Sequence, residues 1–327
     1  MRAVLWAVVA AGLAWAGYWV VGSRAIASGV TDWFATAPAN GIDATTTDIS
    51  VAGFPNRFDL TLTDLHLGDA LSGISVNLPF AQVFTMTWKP WHLIAVLPHE
   101  AAITVPGQTI ALTTTDLRGS LSLHPGTDLA LNRIVIEAAG IKATADQGWT
   151  VSADKLVLAS AEDTTWQHAQ RLGLELTNLT PDASLTDALP DLGPVISAAH
   201  LDATVMFSGP IDRHLADTPA QVTGISLHDA HVTWGTLNLT ASGDIARGSD
   251  AFAEGEIIIR IENWRALPRI IVALGLVKPE IGPTIEHGLE VVAKSGKDPE
   301  VLTLPLTFHE GRMTLGPLPL GEAPKLN

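Results

Sequence analysis

The sequence predicts a mainly β protein: an N-terminal transmembrane helix, an extended antiparallel β-sheet body and a short helical pair near residues 268–295. Three observations carry that prediction. Ala3 to Gly22 (AVLWAVVAAGLAWAGYWVVG) are twenty consecutive positions with no ionisable group except the Tyr18 phenol. Nearly everything beyond residue 41 alternates apolar and polar residues, the period of a strand with one buried face. Only the stretch near 268–295 returns to helical spacing. The body is expected to be either one curved sheet or a two-part β-sandwich enclosing a groove.

Residues 1–22 form the anchor. At about 1.5 Å per residue the apolar run spans roughly 30 Å, one hydrocarbon core. Trp15, Tyr18 and Trp19 fall where amphipathic rings collect at a membrane surface, and Arg24 follows in the headgroup layer. The alternative is a secretory signal, cleaved after Ala25-Ile26-Ala27, but signal h-regions are only roughly 7 to 15 residues long. From Arg24 to Lys89 the only other Lys or Arg is Arg57, a depletion that places the body outside the cytoplasm. The expected location is the bacterial inner membrane, single-pass, with the body in the periplasm. Residues 23–40 read as a juxtamembrane helix or linker, with Ile26, Val30, Trp33 and Phe34 on one face and Pro38 and Gly41 ending it.

Residues 41–160 form a first β-rich half. In NRFDLTLTDLHLGD the apolar Phe58, Leu60 and Leu62 alternate with Asp59, Thr61 and Thr63, and Leu65 and Leu67 extend the apolar set. Similar segments recur about every 8 to 12 residues, as in an all-β array. Residues 161–199 break the pattern and are expected to connect to a second β-rich half, 200–321, that repeats the same grammar. There Val232, Trp234, Leu237 and Leu239 are expected to face inward, with a bulge at Gly235 and a strand end at Gly243-Asp244. Ile270, Ile271, Leu274 and Val277 after Pro268, then Ile285, Leu289 and Val292 after Pro283, give two amphipathic helices. Gly296 is expected to cap the second. A hairpin turning at His309-Glu310-Gly311-Arg312 and a tail, 322–327, finish the chain.

Composition narrows the chemistry. A net charge of −15 repels phosphates and argues against a nucleic-acid partner. Zero cysteines remove disulfides, thiolate nucleophiles and thiolate metal sites together. Eleven histidines leave metal sites open on numbers alone, but His228 and His231, three apart in a strand, are expected on opposite faces. No H-E-x-x-H, G-x-G-x-x-G or Walker pattern occurs. Gly224-Ile225-Ser226-Leu227-His228 lacks the closing glycine of a nucleophile elbow. No catalytic residue, metal ligand or cofactor is assigned, and the chain is not expected to be an enzyme. The ten tryptophans, Trp88, Trp91, Trp149, Trp166, Trp234 and Trp264 among them, suit core packing or the lining of an elongated apolar ligand site.

Three strings carry a resemblance. They are Gly53-Phe54-Pro55-Asn56-Arg57, with Phe58 to Leu60 after it, Trp234-Gly235 through Gly243-Asp244, and His309-Glu310-Gly311-Arg312 through Gly321. Together they resemble the alphaproteobacterial family catalogued as domain of unknown function 2125. That family in turn is distantly similar to AsmA-like envelope proteins, which implies a tethered β-rich body with an apolar groove concerned with lipids. Gly53, Phe54, Pro55, Arg57, Trp234, Gly235, Gly243, Asp244 and Gly311 are read as architectural, with Arg57 neutralising Asp59 or Asp48. Phe58, Leu60, Leu62, Leu237 and Leu239 are the candidate apolar lining. The expected function is to bind or guide apolar molecules, lipid acyl chains above all, without chemistry. An envelope scaffold with protein partners and no small ligand is the alternative, and an envelope hydrolase the second.

Overall fold

The computed structural model describes residues 1–215, 217–275, 277–296 and 298–326. Helix α1 (Arg2–Thr36) is unbroken, so the expected division between an anchor and a juxtamembrane helix at residue 22 is absent. Nothing from Arg2 to Thr36 is a proline, and the glycines there face space or a ring that fits them, so no residue forces a kink. A 3-10 turn at Ala37–Asn40 follows, and Gly41, at φ 77°, ends it. The apolar window of α1 has no buried residue.

The body is one 18-stranded antiparallel sheet. Its first strands are β1 (Ile42–Thr45), β2 (Asp48–Ala52), β3 (Arg57–Asp69) and β4 (Ile74–Met86). Next come β5 (Lys89–Val96), β6 (Glu100–Val105), β7 (Gln108–Thr113), β8 (Asp116–Leu123) and β9 (Leu131–Ala145). The sheet goes on through β10 (Thr150–Glu162), β11 (Ala169–Leu179), β12 (Ile196–Phe207), β13 (Val222–Trp234), β14 (Leu237–Arg247) and β15 (Ala253–Glu262). It closes with β16 (Val301–His309), β17 (Arg312–Leu315) and β18 (Leu318–Glu322). Three interrupted pairs behave as single long strands: β1 and β2 both pair with β3, β5 and β6 with β4, and β7 and β8 with β9. With those joined, the registers describe a simple meander in which each strand pairs with its neighbours in sequence.

The registers also fix the faces, because directly opposed residues point the same way. One row runs Leu60, Val83, Ala95, Gly119, Ile136, Leu158, Leu174, Leu201, Ala230, Ala241, Ile259, Leu304. It contains no polar side chain. The adjacent row, one residue along, runs Thr61, Gln82, Val96, Arg118, Glu137, Val157, Glu175, His200, His231, Thr240, Arg260, Thr303. The alternation read from sequence is therefore one amphipathic sheet carried from end to end.

Two expectations about division are corrected. The segment 161–199 holds strand β11, registered along its length on β10 and β12, so the ladder crosses it without a gap. Its break in alternation is a hairpin tip, with His168 at φ 55°, followed by a regular strand. Only 180–195 leaves the sheet, and it contains a helix the sequence reading missed, α2 (Ala183–Ala188), capped by the Asp182 carboxylate accepting from the Ser184 N–H. The helical pair is present as α3 (Leu267–Ala273) and α4 (Gly282–Ser295), with Pro268 and Pro283 in their first turns. Gly296 ends α4 in extended geometry, φ −81° and ψ −179°, and not as a left-handed cap. The expected helical position Leu276 falls outside the described residues, though it was not assigned a role.

Candidate functional site

The apolar face is covered at its two ends and bare between them. At the first end the second half of α1 lies on β2 and β3. Phe58 is 4% exposed, with its ring against Tyr18 and Trp19 at centroid distances of 6.4 and 6.1 Å. Gly22 lets this contact form, because a Cβ there would sit 2.6 Å from the Phe58 ring. Further along, Phe34 packs on Leu65, Leu78 and Ala81. Asp64, at φ 49°, flips the alternation of β3 so that Leu62 and Leu65 share that face.

At the other end α3 and α4 seat Leu289, Ala293 and Ile270 on Trp234, Leu237, Ile261, Trp264, Leu302 and Leu304. The buried indoles are satisfied: Trp234 donates to the Gly193 carbonyl at 2.9 Å and Trp264 to the Pro299 carbonyl at 3.0 Å. The C-terminal tail covers the opposite ends of the same strands, placing Ala323 and Leu326 on Ala253 and Phe308.

Between these covers, Leu121, Ile134, Leu156, Leu158, Leu172 and Leu174 on β8 to β11 are each half-buried. None belongs to a buried cluster with a helix over it. Toward α1 the face deepens into a cleft of about 550 Å³ lined by Leu65, Leu78, Ala101 and Leu112, with Asp64 and Glu100 at its rim. A second cleft of about 500 Å³ lies beside it, between Trp33, Leu67, Val76 and Ile103.

The sequence-derived lining divides accordingly. Phe58 and Leu237 are sealed in cores, which removes them from any open surface, while Leu60, Leu62 and Leu239 are half-buried. The open middle was missed, although the alternating Leu positions of β8 to β11 were visible. The motif residues are architectural. Arg57 pairs with Asp59 at 2.8 Å. Gly235 is not a bulge but half of the two-residue turn joining β13 and β14, where Trp234 opposes Leu237. Its φ is 55°, and a Cβ would lie 2.5 Å from the Leu192 carbonyl oxygen. Gly243 and Asp244 lie inside β14 and do not end it; a Cβ at Gly243 would meet the Glu256 carbonyl oxygen at 2.2 Å. Asp244 accepts from the Ser226 hydroxyl at 2.6 Å. Gly311, at φ 71°, makes the expected hairpin turn, with His309 opposite Arg312.

The polar face corrects the histidine reading. A bulge between Leu227 and Ala230 restores the phase, so His228 and His231 lie on the same face. His231 stacks on His200 at 5.0 Å and contacts Asp229 at 3.0 Å. The Thr204 hydroxyl sits 2.9 Å from both Asp163 Oδ2 and His228 Nε2, yet Thr204 is 0% exposed and presents no oxygen to a substrate. Arg171 forks onto Asp202 at 2.7 and 2.5 Å, holding that carboxyl below its ordinary range. Among the described residues no group of three His, Asp or Glu side chains is placed to hold a metal ion.

A family model described as an uncharacterized protein conserved in bacteria (DUF2125) matches residues 19–324. The chain belongs to the DUF2125 family. The match starts within the aromatic belt of α1 and runs to the covering tail, so this DUF2125 chain carries the helix-docking residues and the whole sheet inside the family region. No curated protein matches the chain, and no solved structure does.

Proposed function

We propose that this DUF2125 protein is a single-pass, membrane-anchored envelope protein, its body on the periplasmic side, that binds or guides lipid acyl chains on its apolar sheet face without chemistry. The unbroken apolar row from Leu60 to Leu304, half-buried and without a cover over β8 to β11, carries this reading. Extended apolar surface left open to water is costly at about 25 cal/mol per Å² and marks a binding surface. A trough without fixed polar groups suits hydrocarbon chains of varied headgroup. The same row is the feature on which a likeness to AsmA-like envelope proteins would rest.

Retention of α1 is supported by its contacts. Cleavage before Ser28 would strip Trp15, Tyr18, Trp19 and Gly22 from the body and leave Phe58 open.

The test places a photoreactive phenylalanine analogue at Leu158, at Leu174 and, on the opposite face, at Lys155 in the full chain in bacterial membranes. Illumination is expected to yield adducts of phospholipid mass at Leu158 and Leu174 and none at Lys155. Equal lipid labelling at all three positions would remove the trough, and protein adducts alone at the Leu positions would make this face a scaffold surface instead.

A further inference from the structure

Two hairpin tips sit beside the helix. The turn between β2 and β3 carries Phe54, 57% exposed, and the turn between β4 and β5 carries Trp88, 56% exposed, with Met86 beside it at 42%. An exposed Phe and Trp at adjacent tips is costly in water, yet nothing in the fold needs them there. The helix holds both tips by its aromatic belt. Trp15 donates to the Pro55 carbonyl at 2.9 Å, Trp19 to the Arg57 carbonyl at 2.7 Å, and the Tyr18 hydroxyl to the Thr87 carbonyl at 2.8 Å.

The remaining backbone acceptors are also used internally. The Arg57 N–H donates to the Gly53 carbonyl at 2.9 Å, and the Thr87 N–H and hydroxyl both donate to the Asn56 carbonyl, at 3.0 and 3.1 Å. The carbonyls of Gly53, Pro55, Asn56, Arg57 and Thr87 therefore accept from protein donors. A tip in water has no need of this, whereas backbone at membrane depth cannot do without it.

Length gives an independent argument. Arg2–Ala14, the part of α1 that precedes the belt, rises only about 20 Å, short of a hydrocarbon core of about 30 Å. To span, the helix must use Trp15 to Gly22 as well, and those residues grip the tips. Charge agrees. In a chain of net charge −15, the two cations between Arg24 and Arg118 are Arg57 and Lys89, one at each tip, and aromatic plus basic residues are what membrane interfaces collect.

We infer that the β2–β3 and β4–β5 tips, through Phe54 and Trp88, insert into the lipid interface alongside α1, so that the sheet stands with its first end in the membrane surface. The partner is the bilayer itself, its acyl boundary for the rings and its anionic headgroups for Arg57 and Lys89. This rests on the anchoring reading for its geometry and adds to it a seat for the apolar trough: the face that starts at Leu60 begins at the lipid.

The cysteine-free chain allows a direct test. Val8→Cys, Phe54→Cys, Trp88→Cys and Leu71→Cys are made singly in the full chain and labelled with an environment-sensitive fluorophore. Each is reconstituted in vesicles of phosphatidylethanolamine and phosphatidylglycerol with nitroxide-labelled acyl chains. Leu71, 94% exposed, lies at the other end of β3, about 40 Å away along the strand. The probes at 54 and 88 are expected to blue-shift and lose most of their emission to the quencher, as the probe at 8 does, while the probe at 71 is unaffected. Quenching at 8 with tips as unquenched as 71 would overturn the inference while leaving the anchor intact, and would hand the tips to a protein partner. An unquenched probe at 8 with quenched tips would instead sink the anchoring reading and uphold the tips; no quenching anywhere would sink both. Far-ultraviolet circular dichroism of each labelled variant confirms that the sheet is retained.

Discussion

At the residue scale the fold depends on a few sites where backbone passes within contact distance of backbone. Gly235 combines a positive φ with the Leu192 carbonyl oxygen 2.5 Å from where a Cβ would be. Gly235→Ala is therefore expected to destabilise by about 1–3 kcal/mol from strain alone, read by denaturant unfolding, with Gly107→Ala, which meets nothing within 4 Å, costing less. Asp182 is a different kind of site. The Ser184 side chain, then the Thr150 and Ser184 N–H groups, hold its carboxyl down from 3.8 to about 2. Because the folded value is depressed, the tie is complete above the unfolded value of 3.8 and is lost as pH falls through about 2. Amide exchange at Thr150 and Ser184 should accelerate below pH 3.8 ahead of the rest of β10. These residues show what a single sequence conceals. Gly235 was legible as a backbone special but not as a turn, since two residues suffice to reverse a strand and leave the apolar parity of Trp234 and Leu237 unchanged. The bulge at His228 and Asp229 has no glycine to announce it, and so the shared face of His228 and His231 was invisible.

Among elements, α1 has two roles that its sequence shows only in part. Its apolar run and its length were readable, but the docking of its second half was not, because Tyr18 and Trp19 look the same whether they face lipid or Phe58. Gly22→Leu tests that docking: with a Cβ 2.6 Å from the Phe58 ring, the helix must lift. Overpacking of this kind costs about 1–3 kcal/mol, and faster hydrogen exchange across β2 and β3, with β12 to β15 unaffected, is the expected readout. The helical pair was legible from its period and its prolines, since Ile270, Ile285 and Leu289 need an apolar surface and Trp234 and Trp264 offer it. Strand β11 was hidden by the polar tip before it. Alternation is a local signal, and one hairpin tip is enough to interrupt it.

Across the whole molecule, the sheet reads as a single apolar surface closed by a helix at one end and by two helices and a tail at the other. Neither cover was derived as a cover from sequence, because which face a strand presents to which neighbour depends on registers set many residues away. The meander has one further consequence, for how the chain assembles. Every strand finds its partner in the segment made just before it, so contacts are short-range for a β-protein and the entropic cost of closing long loops is small. Such a chain can zip up in order from its amino terminus as it emerges from a translocation pore, each new strand templated on a finished edge. The growing sheet always ends in one unsatisfied edge, and until β18 is laid down that edge is where nascent copies of this protein are most apt to adhere to one another.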